Sequence, residues 1–183
     1  MKRFVIFLVC FGILSIYLTN TVFAQEKTAN VPSLAPNNNI DYNLPFPGIL
    51  PDHPLYPLKV LRDKILIVFT RDPVKKFHLY LLFADKHLAM GQTLWEKGNL
   101  ALSIKTLTTG EKFLLTAAVQ MLKLKQTGSL PEGVADKLKL ACDKHEQIIE
   151  SLILTVNNAE GKQQLNELLG INHQARQQAA PLK

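Results

Sequence analysis

After Leu55, apolar residues recur along the chain at steps of three and four positions, which is the spacing of one face of an α-helix. No window alternates apolar and polar residues over the length of a strand. The sequence therefore predicts an all-α fold. The predicted helices cover residues 55–70, 73–97 and 100–126, and a fourth begins at Pro131.

Capping residues mark the predicted ends of these helices. Asp72-Pro73 combines an N-cap with a proline in the first turn, so it ends one helix and starts the next. Gly98-Asn99 plays the same part between the second and third helices. Later, Asn157-Asn158 either interrupts the fourth helix or caps a short final one over 159–169. We expect Gly170 to end that helix, with a polar tail over 171–183.

The lengths of the helices and of their links predict the architecture. The second, third and fourth helices each have about 25 residues, or about 37 Å, and short links make successive helices antiparallel. We therefore expect an antiparallel bundle of three long helices over 55–170, with the shorter N-terminal helix packed across or beside them. A second apolar strip on the second helix is either sandwiched between two neighbours or forms a homodimer surface. It comprises Tyr80, Phe83, Met90 and Leu94.

Residues 1–24 have the layout of a secretory signal peptide. Lys2 and Arg3 precede an apolar stretch over 4–18, and Ala24 offers a cleavage site before Gln25. That stretch is shorter than the about 20 residues that cross a bilayer. We therefore predict export with cleavage after Ala24. The alternative is an uncleaved N-terminal segment that anchors the protein in the membrane.

A proline-rich stretch over 25–54 separates this segment from the helices. Six prolines and an asparagine run over 37–39 predict an extended linker, because proline fixes its own backbone and biases the preceding residue to extended forms. From Leu44 onward the stretch is too apolar for a simple spacer. We expect that part of the arm to lie against the helices.

Composition narrows the classes of function. Hydrophobic residues make up 47% of the chain and charged residues 20%, which excludes a disordered chain and a multi-span membrane protein. The net charge is +6, but the basic residues are scattered without interleaved aromatics, so nucleic acid is not an expected partner. Of two cysteines, only Cys142 follows the predicted cleavage site. The exported chain therefore has no internal disulfide and relies on its core.

Two short motifs resemble those of an uncharacterised bacterial family of exported, all-helical domains. The first is Leu-Pro-Asp-His-Pro-Leu-Tyr-Pro-Leu-Lys at 50–59, and the second is Phe-Thr-Arg-Asp-Pro-Val-Lys-Lys at 69–76. An Ala-Asp-Lys-His-Leu element follows at 84–88, where His87 replaces the arginine usual in that family. The resemblance covers about 44–128. It implies a helical, exported or membrane-attached protein without an assigned activity, and it transfers no catalytic residues.

The first motif contains a rigid apolar clip that we expect to seat the arm on the bundle. Tyr56 stands between prolines, and Lys59 is expected to pair with a carboxylate of a neighbouring helix. The candidate clip or recognition residues are Leu55, Tyr56, Pro57, Leu58, Lys59, Asp72 and Pro73.

Candidate chemistry is sparse. Cys142 and His145 are three apart on one helical face and could contribute two ligands to copper or zinc, but two ligands do not make a site. We expect both to be core residues, with His145→Leu tolerated or stabilising. Glu111 falls near the apolar face of the third helix, and a salt bridge to Lys59 or His145 is its expected explanation.

No motif for a nucleophile, a phosphate loop or a dinucleotide site occurs, so no enzyme activity and no cofactor are predicted. The favoured hypothesis is a non-enzymatic exported module that binds a protein, a peptide or a cell-envelope component. The alternative is an envelope stress or metal-handling helical protein that uses Cys142 and His145.

Overall fold

The computed structural model describes residues 40–180, and in this range the regular elements are five α-helices without strands. The all-α prediction is confirmed. The predicted signal peptide (1–24), the first part of the arm (25–39) and the last three residues lie outside the described range. The helices are α1 (Tyr56–Phe69), α2 (Pro73–Glu96), α3 (Leu100–Gln126), α4 (Val134–Thr155) and α5 (Ala159–Ala179).

The caps around α2 follow the prediction. The carboxylate of Asp72 accepts a hydrogen bond from the backbone N of Lys75 at 2.8 Å. After α2, Gly98 has a φ of 77°, a left-handed conformation that glycine adopts without strain. Asn99 then accepts from the backbone N of Leu102 at 3.3 Å. These side chains confirm where α1, α2 and α3 begin and end.

The second half of the chain departs from the prediction. Helix α4 begins at Val134 rather than Pro131, because Gly133 has a left-handed φ of 77°. Helix α5 runs through Gly170 to Ala179, so the predicted polar tail from 171 is wrong. Residues 40–180 consequently contain four long helices rather than three. A glycine inside a helix costs only about 1 kcal/mol, and the packing of the following residues outweighs that cost.

Those following residues attach α5 to α4. Ala175 is buried in the core, and Asn172 donates to the carbonyl oxygen of Cys142 at 3.1 Å. Arg176 forms ion pairs with Asp143 and Glu146 on α4.

Two clusters of buried side chains form the core of the described residues. Both draw on helices α2 to α5, and all their members and packing neighbours fall between Tyr42 and Ala179. A chain that starts at Gln25 therefore keeps the entire core described here. The large fully buried side chains are Phe77, Leu81, Leu88, Met90, Leu94, Leu107, Leu114, Met121, Leu124, Leu138, Ile149 and Leu165.

Helices α2 and α3 make the most extensive helix pair, and small residues bring them close together. A Cβ added at Gly110 would lie 3.1 Å from the Cβ of His87 and 3.2 Å from the carbonyl oxygen of Ala84. The hydroxyl of Ser103 donates to the carbonyl oxygen of Gly91 at 2.7 Å. This close approach fixes the positions of the polar side chains that α2 and α3 direct into the core.

The second apolar strip of α2 lies largely inside the chain. Phe83, Met90 and Leu94 are buried, and Tyr80 is half-buried. The rings of Tyr80 and Phe83 contact Phe113 on α3, at centroid distances of 6.4 and 5.6 Å. The sandwiched alternative therefore accounts for the strip. A homodimer through this helix stays a prediction.

Candidate functional site

A cluster of ionisable side chains lies in the core, where α2, α3 and α4 meet. Asp85, Glu111 and His145 come from these three helices in turn. His145 Nδ1 lies 2.7 Å from Glu111 Oε1, and His145 Nε2 lies 3.1 Å from Asp85 Oδ1. Both ring nitrogens of His145 are therefore occupied by carboxylates. The predicted salt bridge of Glu111 is present, and its partner is His145 rather than Lys59.

Two further residues complete this cluster from opposite ends of the described chain. The side-chain amide of Asn172 on α5 donates to Glu111 Oε2 at 3.2 Å. The hydroxyl of Tyr42, in the segment that precedes α1, donates to Asp85 Oδ2 at 2.7 Å. Burial, followed by the charge of Asp85, raises the pKa of Tyr42, so this phenol keeps its proton. The cluster thus joins four helices and the preceding segment.

The charge of His145 follows from its surroundings. Burial alone would lower its pKa, but Glu111 and Asp85 together outweigh burial and raise the pKa of the imidazole to about 9. At neutral pH both ring nitrogens carry protons and donate to carboxylates. The exposed fraction of His145 is 0%, as is that of Glu111. The cluster is a sealed ion network that holds helices together, and no substrate can reach its imidazole in this conformation.

Cys142 and His145, the candidate metal ligands, are both fully buried, and the ring nitrogens of His145 face carboxylates. Burial, followed by Glu111, raises the pKa of the Cys142 thiol to about 12, whereas metal ligation requires the thiolate. No group of three or more histidine, cysteine or acidic side chains within 40–180 is arranged to hold a metal ion. Both side chains lie in the core, and whether they bind a metal stays a prediction.

The second notable feature is α1, which packs only loosely against the other helices and turns an apolar side to solvent. Leu58 is 64% exposed and Phe69 is 77% exposed. Leu66, which is 43% exposed, lies about 60° to one side, and the other large exposed apolar residues of α1 fall within about 100° of one another around the helix axis. We call this surface the outer face of α1. It comprises Leu58, Leu61, Ile65, Val68 and Phe69.

The inner side of α1 is polar. Lys59 and Asp63 are its buried residues. The ammonium of Lys59 lies 3.3 Å from the sulfur of Met90 on α2 and 5.3 Å from the centroid of the Tyr56 ring. Burial lowers the pKa of this ammonium, while Asp63 opposes that shift. The prediction that Lys59 pairs with a carboxylate of a neighbouring helix is wrong, because the nearby acid, Asp63, lies on α1 itself.

Tyr56 seats α1 on α2 through His87. The His87 Nδ1–H donates to the carbonyl oxygen of Phe83 at 2.7 Å, and burial lowers the pKa of His87, so its Nε2 has no proton. That nitrogen accepts from the Tyr56 hydroxyl at 3.4 Å. His87, where the resembled family has arginine, thus receives the tyrosine of the first motif.

The structure corrects the composition of the predicted clip. Tyr56 and Lys59 face the bundle, whereas Leu55, Pro57 and Leu58 are exposed. Asp72 and Pro73 start α2 as cap and first residue. Earlier in the first motif, Asp52, His53 and Pro54 are exposed, whereas Leu50 and Pro51 are half-buried.

Two cations border the outer face of α1 on either side. Arg62 and Lys64 are both exposed, and helix geometry places them at opposite edges of the face. Arg62 also forms an ion pair with Asp63, with its Nη2 2.6 Å from Asp63 Oδ1. Downstream of α1, Arg71 and Lys75 are exposed as well. The outer face of α1 thus combines exposed apolar residues with a cationic rim.

Sequence reasoning missed Asp85 and Asn172. Asp85 directly follows Ala84 and lies one helical turn after Leu81, both apolar residues of the core, and a carboxylate in that position was an available signal. Asn172 lay in the predicted tail, so nothing indicated that it enters the core.

These features define an all-helical domain whose core holds a sealed ion network and whose first helix turns its apolar side outward. The sequence matches the family Domain of unknown function (DUF5667) over residues 48–178, and the chain belongs to that family. The match extends well past Gly128, where the motif resemblance ended. Comparison with curated proteins and with solved structures found no match. Within the described range, no helix is both long and apolar enough to cross a membrane.

Proposed function

We propose that the protein is an exported, non-enzymatic helical module that binds a component of the cell envelope through the outer face of α1. The observation that carries this proposal is the exposure of that face. Its residues are apolar, contiguous and unpartnered in the described chain, and such contiguous apolar patches mark interaction surfaces. The polar side of α1 explains why the helix keeps this orientation, since Lys59 and Tyr56 contact Met90 and His87 of α2.

The non-enzymatic part of the proposal rests on the ion network. Its central group, His145, has a pKa raised to about 9, and buried groups with perturbed pKa values are the usual candidates for catalysis. Here Glu111 and His145 are fully buried and paired with each other, and their remaining polar atoms are occupied by Asn172 and Asp85. Their arrangement supports a structural role.

We also propose that α2 and α3 run antiparallel in the bundle. Gln120, late in α3, donates to the carbonyl oxygen of Pro73 at the start of α2. Ser103, early in α3, donates to Gly91 late in α2. This order of contacts supports the arrangement predicted from the short link.

Thiol accessibility tests the binding surface. Leu61→Cys on the outer face is compared with Leu154→Cys, where an equally apolar, exposed leucine lies on α4. Both are built with Cys10→Ala, and Cys142 is shielded by burial. In the purified chain both new thiols should react with maleimide at similar rates. In intact cells that express the protein, Leu61→Cys should be protected at least several-fold relative to Leu154→Cys. Equal rates in cells contradict a bound outer face.

A further inference from the structure

We propose that the outer face of α1 binds the surface of an anionic phospholipid bilayer. This inference names the partner of the proposed binding surface and therefore rests on the proposed function. Its basis is the joint placement of an exposed apolar face, a cationic rim and inward-facing acid on one helix. The helix would lie in the plane of the bilayer surface rather than cross it.

The distribution of side chains around α1 fits a lipid surface. Helices that lie in the membrane interface bury an apolar face to the depth of the headgroup boundary and place basic residues at its edges. Lys64 and Arg62 occupy these edges, and their long aliphatic stems let the charges reach headgroup phosphates while the stems follow the acyl boundary. The five side chains of the outer face carry no hydrogen-bonding groups, as the acyl region requires.

The charge around the face favours an anionic surface. The exposed charged side chains of α1 and the following link are Arg62, Lys64 and Arg71, against Asp72 alone, and Lys75 adds an exposed cation in the first turn of α2. Asp72 already accepts the N-cap hydrogen bond of α2. The other acid, Asp63, faces inward. Each basic residue near an anionic leaflet contributes to attraction, so this excess of cations complements phosphate headgroups.

The same charges disfavour a second copy of the chain as the occupant. Two copies joined through this face would bring both cationic rims together, and α1 has no exposed acid to pair with them. Like charges placed against each other at an interface weaken association. A bilayer supplies the opposite charge along the entire rim.

Vesicle flotation tests the proposal with the chain 25–183, which keeps the described core and lacks the apolar N-terminal stretch that could itself bind lipid. Circular dichroism and a melting curve first establish that this chain and each variant are folded. Vesicles of phosphatidylcholine alone are compared with vesicles that also contain phosphatidylglycerol. We expect saturable binding to the anionic vesicles, weaker binding to the neutral ones, and loss of binding as salt is raised.

Matched variants locate the binding surface. Lys64→Gln should weaken binding about fivefold, the effect of about 1 kcal/mol per basic residue at an anionic surface. Leu61→Gln with Ile65→Gln and Phe69→Gln should weaken it about a hundredfold or more, since each loses apolar burial. The controls Lys139→Gln and Leu154→Gln replace exposed residues of α4 and should bind like the parent chain.

The failures have different meanings. Equal binding to neutral and anionic vesicles, or equal loss in the control variants, overturns the anionic-surface assignment. No vesicle binding, with a dimer that the triple variant converts to a monomer, assigns the face to a second copy instead. Protection of Leu61→Cys in cells without any vesicle binding overturns only the lipid partner, and the proposed binding surface then stands with a protein occupant. Absence of both protection and vesicle binding overturns both proposals.

Discussion

Replacing His145 with leucine tests the role of the ion network most directly. Leucine is similar in size to histidine, so the change removes the imidazolium without opening a large cavity. It leaves Asp85 with the Tyr42 hydroxyl and Glu111 with the Asn172 amide, one donor each. Breaking a buried ion pair typically costs 3–5 kcal/mol, and because each carboxylate keeps one donor we expect a loss of about 3 kcal/mol at neutral pH.

The dependence of this stabilisation on pH has a defined sign. The pKa of His145 is raised from 6.5 to about 9 in the folded chain. Below pH 6.5 the imidazole is protonated in both states, and its contribution to stability is complete. Above that pH the unfolded chain loses the proton while the folded chain retains it, so the contribution falls and is lost as the pH passes through 9. The raised pKa corresponds to about 3 kcal/mol in total.

Urea unfolding followed by circular dichroism measures both effects in the chain 25–183. The parent chain should lose stability between pH 6.5 and 9, and His145→Leu should lack most of that loss. His173→Leu is the matched control, because His173 pairs with Glu146 at the surface and is half exposed. It should cost less than about 1 kcal/mol. A His145→Leu chain as stable as the parent at pH 7, or parent stability that is flat over this range, would refute the reasoning.

Four further outcomes are expected. Gly110→Ala should lower the free energy of unfolding in urea by about 1–3 kcal/mol, because the new Cβ would meet the backbone of α2. Gly170→Ala, with open space around it, should raise that free energy by about 0.5–1 kcal/mol. Equal effects of the two substitutions would contradict the close approach of α2 and α3. Tyr56→Ala should cost about 1–2 kcal/mol, since its ring is half-buried, and an unmoved melting curve excludes that contact. Cys142→Ala should be mildly destabilising, with no zinc-dependent thermal shift in either chain; a saturable shift in the parent alone indicates ligation. N-terminal sequencing of the exported protein should find Gln25, and finding Met1 would indicate an uncleaved anchor.

Apolar periodicity and capping residues determined most of the fold from the sequence. They located α1, α2 and α3 to within about one residue at each end, because Asp72, Gly98 and Asn99 act through local hydrogen bonds and backbone conformation. The prediction ended the last helix too early, at Gly170, because glycine commonly follows the end of a helix. The contacts that carry the helix onward involve α4, more than twenty residues away, and no local rule includes them.

The direction of a helix face was harder to predict than the helix itself. Periodicity predicted an apolar side for α1, and we expected that side, with Leu55 and Leu58, to pack against the bundle. A repeat of 3.6 residues defines two sides but does not say which one meets the core. That depends on partners such as His87 and Met90, which receive Tyr56 and Lys59.

Only part of the ion network could be predicted from the sequence. The unusual position of Glu111 predicted a partner, and His145 was one of two candidates. Asp85 is 60 positions from His145 in the chain, so its contact depends on how α2 packs against α4. Without that second carboxylate, His145→Leu seemed tolerable. With it, the same substitution leaves two buried acids short of donors.

Tyr42 and Tyr56 attach the two ends of the segment 43–55 to residues two apart on α2, Asp85 and His87. Residues two apart on a helix point to nearly opposite sides, so the segment is attached to α2 on both sides of that helix. A force applied to the chain from its N-terminal side would load the hydrogen bond between Tyr42 and Asp85, which connects to the bundle, before it reached α1. The orientation of α1 therefore depends on its own contacts with α2, which Tyr56 and Lys59 make with His87 and Met90.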